Sequence, residues 1–372
     1  MSPSQIHTGP VQSMSIRSLV IFLTVFAIAT SCLTGLATWL HWTKPAAETG
    51  SGRVFVVPQG SSFAEVAEKL RAQGLIRSAD GLFVLAWYRK QTARIQAGEY
   101  KLYPWQTPAE ILDALVQGKT LQYMVTIPEG FNMFQLAGLL EKAGLAERNA
   151  FLQAATDREL LDKLGIKALS AEGYLFPDTY RLTKDTTAGQ MVRVFVDRFW
   201  EVWHAEQFHI KAREMGVGVH QAVILASIVE EEAMRPGERA LIAGVFWNRL
   251  KKGMRLQADP TVRYGILVET RTNRKRLRWK DLRKETPYNT YKKKGLPAGP
   301  ISNPGRESIR AVLEPSEEGY LYFVSKNNGT HHFSRTLAEH NRAVDRYQRY
   351  RRSKKELRTS GRATNVKAPP RN

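Results

Sequence analysis

A chain of 372 residues is long enough for two or three domains with cores of their own, and its formal net charge of +20 at neutral pH invites a nucleic-acid reading. The charge is local. Arg271 to Lys294 carries eleven Lys/Arg against Asp281 and Glu285, and Arg342 to Asn372 carries eleven more against Asp345 and Glu356, leaving the remainder close to neutral. Without an RNA- or DNA-binding motif, two basic stretches suit an anionic surface equally well, and no nucleic-acid partner is expected. The sole cysteine, Cys32, rules out a disulfide within the chain.

Residues 1–17 form a short polar tail. From Ser18 to Thr43 there is no Lys, Arg, Asp or Glu, a length that spans a bilayer, with Trp39 and Trp42 at the far interface. A cleaved signal peptide needs a shorter apolar core, and the residues after Cys32 stay too hydrophobic for a lipoprotein site. Residues 18–43 are therefore read as one transmembrane helix, membrane-embedded in the cytoplasmic (inner) membrane. The short tail lies inside and the large body is extracytoplasmic. Residues 44–53 read as a linker.

An internal repeat follows. Pro58, Gly60, Leu70 and Gly74 recur seventy residues later as Pro128, Gly130, Leu140 and Gly144. Tyr100-Lys-Leu102 with Thr107 recurs at an offset of eighty as Tyr180-Arg-Leu182 with Thr187. Each unit, 54–120 and 121–205, reads strand, helix, helix, strand, and this βααβ order resembles LysM-like modules, which grip N-acetylated glycans. Many small α+β modules share that order.

Residues 206–352 form a third region. Its organising stretch is Gln221 to Met234: Val223 to Val229 are apolar apart from Ser227, as in a buried helix, and then come Glu230, Glu231 and Glu232. Consecutive helical residues diverge by about 100°, so the three carboxylates meet different environments. A glutamate facing the buried side, near the negative helix end and beside like charges, holds its proton more readily, as a general acid must. The ordinary alternative is a solvated helix end. A second helix is expected over Pro236 to Leu250, then turn-rich chain through Asp259-Pro260 and Thr286 to Asn289. A short helix at Ser308 to Leu313 precedes a hairpin, Tyr320 to Val324 returning through His332-Phe333, and a last helix from Thr336 to Arg352. Residues 353–372 read as a basic disordered tail. His331 and His332 lack carboxylate or cysteine partners at ligand-like spacing and are read as a hairpin pair, not a metal site.

The runs L-A-S-I-V-E (Leu225 to Glu230), M-R-L-Q-A-D-P-T-V (Met254 to Val262), P-Y-N-T-Y (Pro287 to Tyr291), G-L-P-A-G-P-I-S-N-P-G (Gly295 to Gly305) and E-G-Y-L-F-P-D-T-Y (Glu172 to Tyr180) together resemble the endolytic murein transglycosylases of the MltG/YceG-like family. The resemblance runs from the anchor to about Asn341; the basic 271–284 stretch and the tail depart from it. It implies an α+β enzyme, with 206–352 the catalytic domain, that cuts peptidoglycan glycan strands internally and leaves 1,6-anhydro muramic ends. It also implies catalysis by Glu230, no cofactor, no metal, and penicillin-binding synthases as partners. One carboxyl suffices for this chemistry, since the nucleophile is the substrate's own C6 hydroxyl. Gln257, Asp259 and Thr261 are candidates to bond sugar hydroxyls and acetamido groups, or equally to form a plain turn. Tyr288, Asn289 and Tyr291 suit a sugar platform, while Asn303 reads as a turn residue. Two rival readings are a hydrolytic muramidase with Asp259 or Glu232 as second carboxylate, and a non-enzymatic glycan-binding scaffold.

Overall fold

The computed structural model describes residues 16–274 and 276–349, which fall into two compact units meeting at Gln122/Tyr123. The basic tail expected from residue 353 and nearly all of the N-terminal tail lie outside the described residues. The first unit opens with α1 (Ile16–Thr43), 28 residues long and apolar enough to cross a membrane. At 1.5 Å per residue that is about 42 Å, more than the hydrocarbon core requires. Then come β1 (Arg53–Val57), α2 (Phe63–Ala72), α3 (Ala79–Tyr88), β2 (Gly98–Leu102) and α4 (Pro108–Gln117). β1 and β2 pair antiparallel with Phe55 opposite Tyr100, and both side chains join Leu70, Leu82 and Ile111 in one core.

The second unit begins with β3 (Tyr123–Thr126), α5 (Met133–Lys142), α6 (Arg148–Ala154), α7 (Arg158–Lys163), β4 (Thr179–Leu182) and α8 (Ala188–Ala205). The local devices of the first unit recur here. Ser62 and Asn132 close capping boxes on α2 and α5, as Thr107 and Thr187 do on α4 and α8. Tyr100 and Tyr180 each donate to the carbonyl four residues upstream, at 2.7 and 2.6 Å. The expected βααβ order holds only in the first unit. Between β3 and β4 stand three helices, because Asp157 accepts from the Leu160 N–H (2.7 Å) and starts a new helix where the first unit turns back.

From there the chain runs α9 (Phe208–Glu214), α10 (Val219–Glu232), α11 (Arg239–Lys251), α12 (Asp259–Thr270), α13 (Trp279–Leu282), α14 (Arg306–Leu313), β5 (Tyr322–Ser325), β6 (His331–Ser334) and α15 (Leu337–Val344). Among the described residues the strands form three separate antiparallel ribbons and share no common sheet, an α+β architecture. One hydrophobic core joins β3, α5, α8, α10, α11 and α14. α10 lies inside it: Ala222 to Val229 are all buried, as an all-round apolar helix must be. Ser227, the polar exception, donates to Ile224 O (2.7 Å) and accepts from Ile301 N–H (3.0 Å), tying the Pro300–Asn303 loop to the helix.

The turn expected at Gln257 to Thr261 is instead the start of α12. Pro260 occupies the first turn, where a missing N–H costs nothing, and the helix continues to Thr270. The last helix runs from Leu337 to Val344 and passes into a π-helical stretch, Asp345–Arg349; the remainder of its expected span lies outside the described residues. Gly173 sits at φ +89°, and a Cβ there would lie 2.6 Å from Pro300 Cβ and from Val223 Cγ1. Gly173→Ala combines a left-handed backbone with overpacking and should destabilise the second unit by about 3 kcal/mol, read from denaturant unfolding.

Candidate active site

The buried run of α10 fixes where its three terminal carboxylates emerge. Glu230 leaves the helix on the side of α11 and α14 and keeps only 7% of its side chain exposed. Its Oε1 accepts from Arg239 Nη2 at 3.1 Å and its Oε2 from the Gly305 N–H at 2.9 Å. Gly305 caps α14, so the carboxylate meets a helix N-terminus, where backbone N–H groups point outward. Arg239 is 14% exposed. It donates through Nε to Ser308 Oγ (3.0 Å) and through Nη2 also to Glu129 Oε2 (3.5 Å). Burial first, and then the neighbouring Glu230, push the Glu129 carboxyl above the usual range, with Arg239 opposing.

The starts of α11 and α14 and the Pro128–Gly130 turn therefore converge on one carboxylate. The Pro128–Gly130 turn needs its glycine: φ is +77°, and a Cβ would stand 3.2 Å from Glu231 Oε1 and 3.7 Å from Glu230 Cγ. Gly130 N–H donates to Asn303 O at 3.0 Å, which ties this turn to the one that carries Gly305. Beneath them lies a buried network. Glu172 accepts from Met133 N–H (3.0 Å to each oxygen), Tyr264 OH (2.7 Å) and Asn303 Nδ2 (3.0 Å). Asn303 Oδ1 in turn accepts from the N–H groups of Gly173 and Leu175, at 2.8 and 3.0 Å. Burial outweighs these donors and raises the Glu172 carboxyl to about 7.

Glu231 is exposed, on the wall of a cleft of about 280 Å³ that Asn132, Gln135, Arg263, Tyr264 and Ile301 also line. Glu232 is half-buried on another side. Burial, then the carboxylates of Asp259 and Glu231, raise its carboxyl to about 7, with Arg263 opposing.

The other candidate residues separate into two kinds. Gln257 and Asp259 are exposed, and Asp259 Oδ1 accepts from the half-buried Tyr291 OH at 2.6 Å, on the Glu232 side of α10. Thr261 and Asn289 have no exposed surface. The Thr261 hydroxyl donates to Ala258 O (2.7 Å) and meets Thr290 Oγ1 at 2.9 Å. Asn289 Nδ2 donates to the carbonyls of Leu282 and Lys284, at 3.0 and 2.6 Å, and its Oδ1 accepts from Tyr291 N–H at 2.9 Å. Both side chains hold loops together and touch no open surface. Tyr288 is half-buried, edge-on to Tyr264 at 4.9 Å, and so belongs to the Glu172 side of the unit.

Arg239, Glu129, Gly305 and Glu172 were not singled out from the sequence. One signal was available for Arg239: a cation in the first turn of a helix opposes the helix dipole, so a partner elsewhere must hold it. His331 on β6 pairs with Glu238 in the turn just ahead of α11, Nδ1 to Oε2 at 2.7 Å. Among the described residues no group of three His, Cys, Asp or Glu is placed to hold a metal ion.

The family model described as the YceG-like family matches residues 55–346. An endolytic murein transglycosylase of Bacillus subtilis is 33% identical over 312 residues, which is 78% of this chain and 83% of that protein. A protein of the same name from Streptococcus pneumoniae is 28% identical over 317 residues, 77% of this chain and 57% of its own length. The crystal structure of a putative yceG-like protein of Listeria monocytogenes superposes with a TM-score of 0.55 at 31% identity, covering 79% of this chain and all of that one.

Proposed function

The chain belongs to the YceG-like family, and from that premise we propose an endolytic peptidoglycan lytic transglycosylase in which Glu230 acts first as general acid and then as general base. The observation that carries the mechanism is the seating of Glu230. A carboxylate has about four lone-pair sites, and the Arg239 and Gly305 donors occupy one on each oxygen. The remaining sites are free for the substrate, while the two anchors fix the group's direction.

A protonated Glu230 gives its proton to the glycosidic oxygen as the bond from muramic C1 breaks. The muramic C6 hydroxyl then attacks C1 and loses its proton to the same carboxylate, which restores the acid and closes the 1,6-anhydro ring. No water is consumed. Between the two transfers the negative charge rests beside Arg239 and the α14 N-terminus, which are already in position and need no rearrangement.

Gln257, Asp259 and Tyr291 serve as sugar contacts in this reading. Thr261 and Asn289 act by holding those contacts, and Tyr288 by packing behind Tyr264. α1 is a single-pass anchor with its N-terminus in the cytoplasm. The first repeat, as a LysM-like module, and the second, its counterpart with one more helix, steer the glycan strand, and penicillin-binding synthases deliver it. Digestion of purified murein followed by mass spectrometry tests the reaction: anhydro ends are expected, and reducing ends in their place would end the proposal.

A second reading draws on Glu129, which shares Arg239 Nη2 with Glu230 and is half exposed. With a second carboxylate across the bond the enzyme would hydrolyse it. Glu129→Gln separates the two: the lyase should lose no more than roughly tenfold in rate, the size of one lost hydrogen bond to a charged group, and keep its anhydro products. A loss on the order of a thousandfold would favour hydrolysis.

A further inference from the structure

α3 is apolar on every side beyond Asp80 in its first turn. Ala79, Gly81, Leu82, Leu85 and Ala86 face the core of the first unit. The opposite stripe, at the helical spacing of three and four residues, is Asp80, Phe83, Val84, Trp87 and Tyr88. Phe83 is 44% exposed, Val84 42%, Trp87 69% and Tyr88 78%. A short helix hydrophobic all round, with half of that surface uncovered, is not stable as a water-facing element; something apolar covers it.

Its neighbour shows what. α3 packs directly on the last turns of α1. Gly81 is a glycine because Trp42 crosses it: a Cβ there would lie 2.7 Å from Trp42 Cβ. Trp39 lies against the same core. Arg77, just ahead of α3, donates through Nε to Pro45 O (2.6 Å) and approaches His41 Nδ1 at 3.4 Å. α3 is thus held by side-chain contacts to the point where α1 ends, within one compact unit.

We propose that the Phe83–Val84–Trp87–Tyr88 face of α3 is a lipid-contact surface, seated in the interfacial layer of the bilayer beside the exit of α1. This rests on the reading of α1 as a membrane anchor. The composition fits that depth: Trp and Tyr carry a polar tip on an apolar body, and two cations follow directly, Lys90 and Arg89, the latter paired with Asp113 at 3.1 Å. The stripe has a single acidic residue, Asp80, at its N-terminal end. The helix adds an interfacial foot to a spanning helix, and so fixes the first unit against the membrane instead of leaving it to swing on a tether.

The test uses the full chain in nanodiscs of phosphatidylethanolamine and phosphatidylglycerol, with nitroxide labels and collision by oxygen against a water-soluble nickel chelate. One label sits on the native Cys32 of α1. Others replace Val84 and Tyr88, or Glu68 on the charged face of α2, in a Cys32→Ser background. Lipid-like collision at 84 and 88 with water-like collision at 68 supports the proposal. Water-like collision at 84 and 88 while Cys32 stays lipid-like overturns it and leaves the anchor standing. Shielding of 84 and 88 from both colliders means a protein covers the face, which also overturns it. A water-like Cys32 removes the anchor and the proposal together.

Discussion

Glu230→Gln is expected to cut the release of 1,6-anhydro ends by roughly 10²–10⁴-fold, the usual contribution of a positioned acid–base group. The amide keeps the shape and can still accept from Gly305 N–H, so substrate binding should change little and the loss should fall on kcat. Arg239 keeps Glu129 and Ser308 as partners, so the fold should survive. Thermal unfolding beside the digestion assay checks this. A variant that retained more than about a tenth of the wild-type rate would remove Glu230 from the mechanism.

Asn303→Ala should give a different pattern, with stability and activity lost together. It strips the acceptor from the buried N–H groups of Gly173 and Leu175, and one donor each from Glu172 and the part-buried Phe131 O, which keep other donors. Each orphaned group costs about 1–3 kcal/mol, and since such losses overlap, a total of about 4 kcal/mol is expected. Activity follows because the Asn303 main chain holds the Gly130 turn and leads two residues later to the N–H that grips Glu230.

The same network makes stability depend on pH. The folded chain keeps the Glu172 proton up to about 7, whereas the usual value is 4.5. Between those values the folded state binds the proton and the unfolded state has released it. The stabilisation is therefore fully present below about 4.5, falls as pH rises, and is gone above about 7. Glu232 is raised in the same direction, so melting temperature should decline across this window. Glu172→Gln, which copies the neutral form, should flatten the decline by the share that Glu172 contributes. An unchanged slope in that variant would assign the whole effect elsewhere.

How much of this was legible beforehand follows from the range of the interactions. The apolar run of α10 declares its own burial, and the capping pairs Ser62/Glu65, Thr107/Glu110 and Thr187/Gln190 need only three residues to form. The repeat showed itself through glycines at fixed offsets, because glycine adopts the left-handed turns at 60, 74, 130 and 144 without steric cost. Glu230 was singled out as a candidate from its place at the end of a buried helix together with a family resemblance. α12 was missed because Asp-Pro opens a helix as readily as it makes a turn, and the choice depends on what packs beyond it.

The sequence by itself determined the long apolar N-terminal helix, the duplicated pattern and the buried helix that ends in three carboxylates, since each is written in residues close together along the chain. The tertiary structure alone decided which carboxylate meets Arg239 and Gly305, and which polar residues of the 257–291 region remain open to a ligand. Glu230 and Gly305 lie 75 residues apart, and Asn303 and Glu172 lie 131 apart. Thr261 and Asn289 have the same chemistry whether they face a sugar or a carbonyl. Only the packing of α12 against its loop turns them inward, because a buried hydroxyl or amide must find its partners inside the protein.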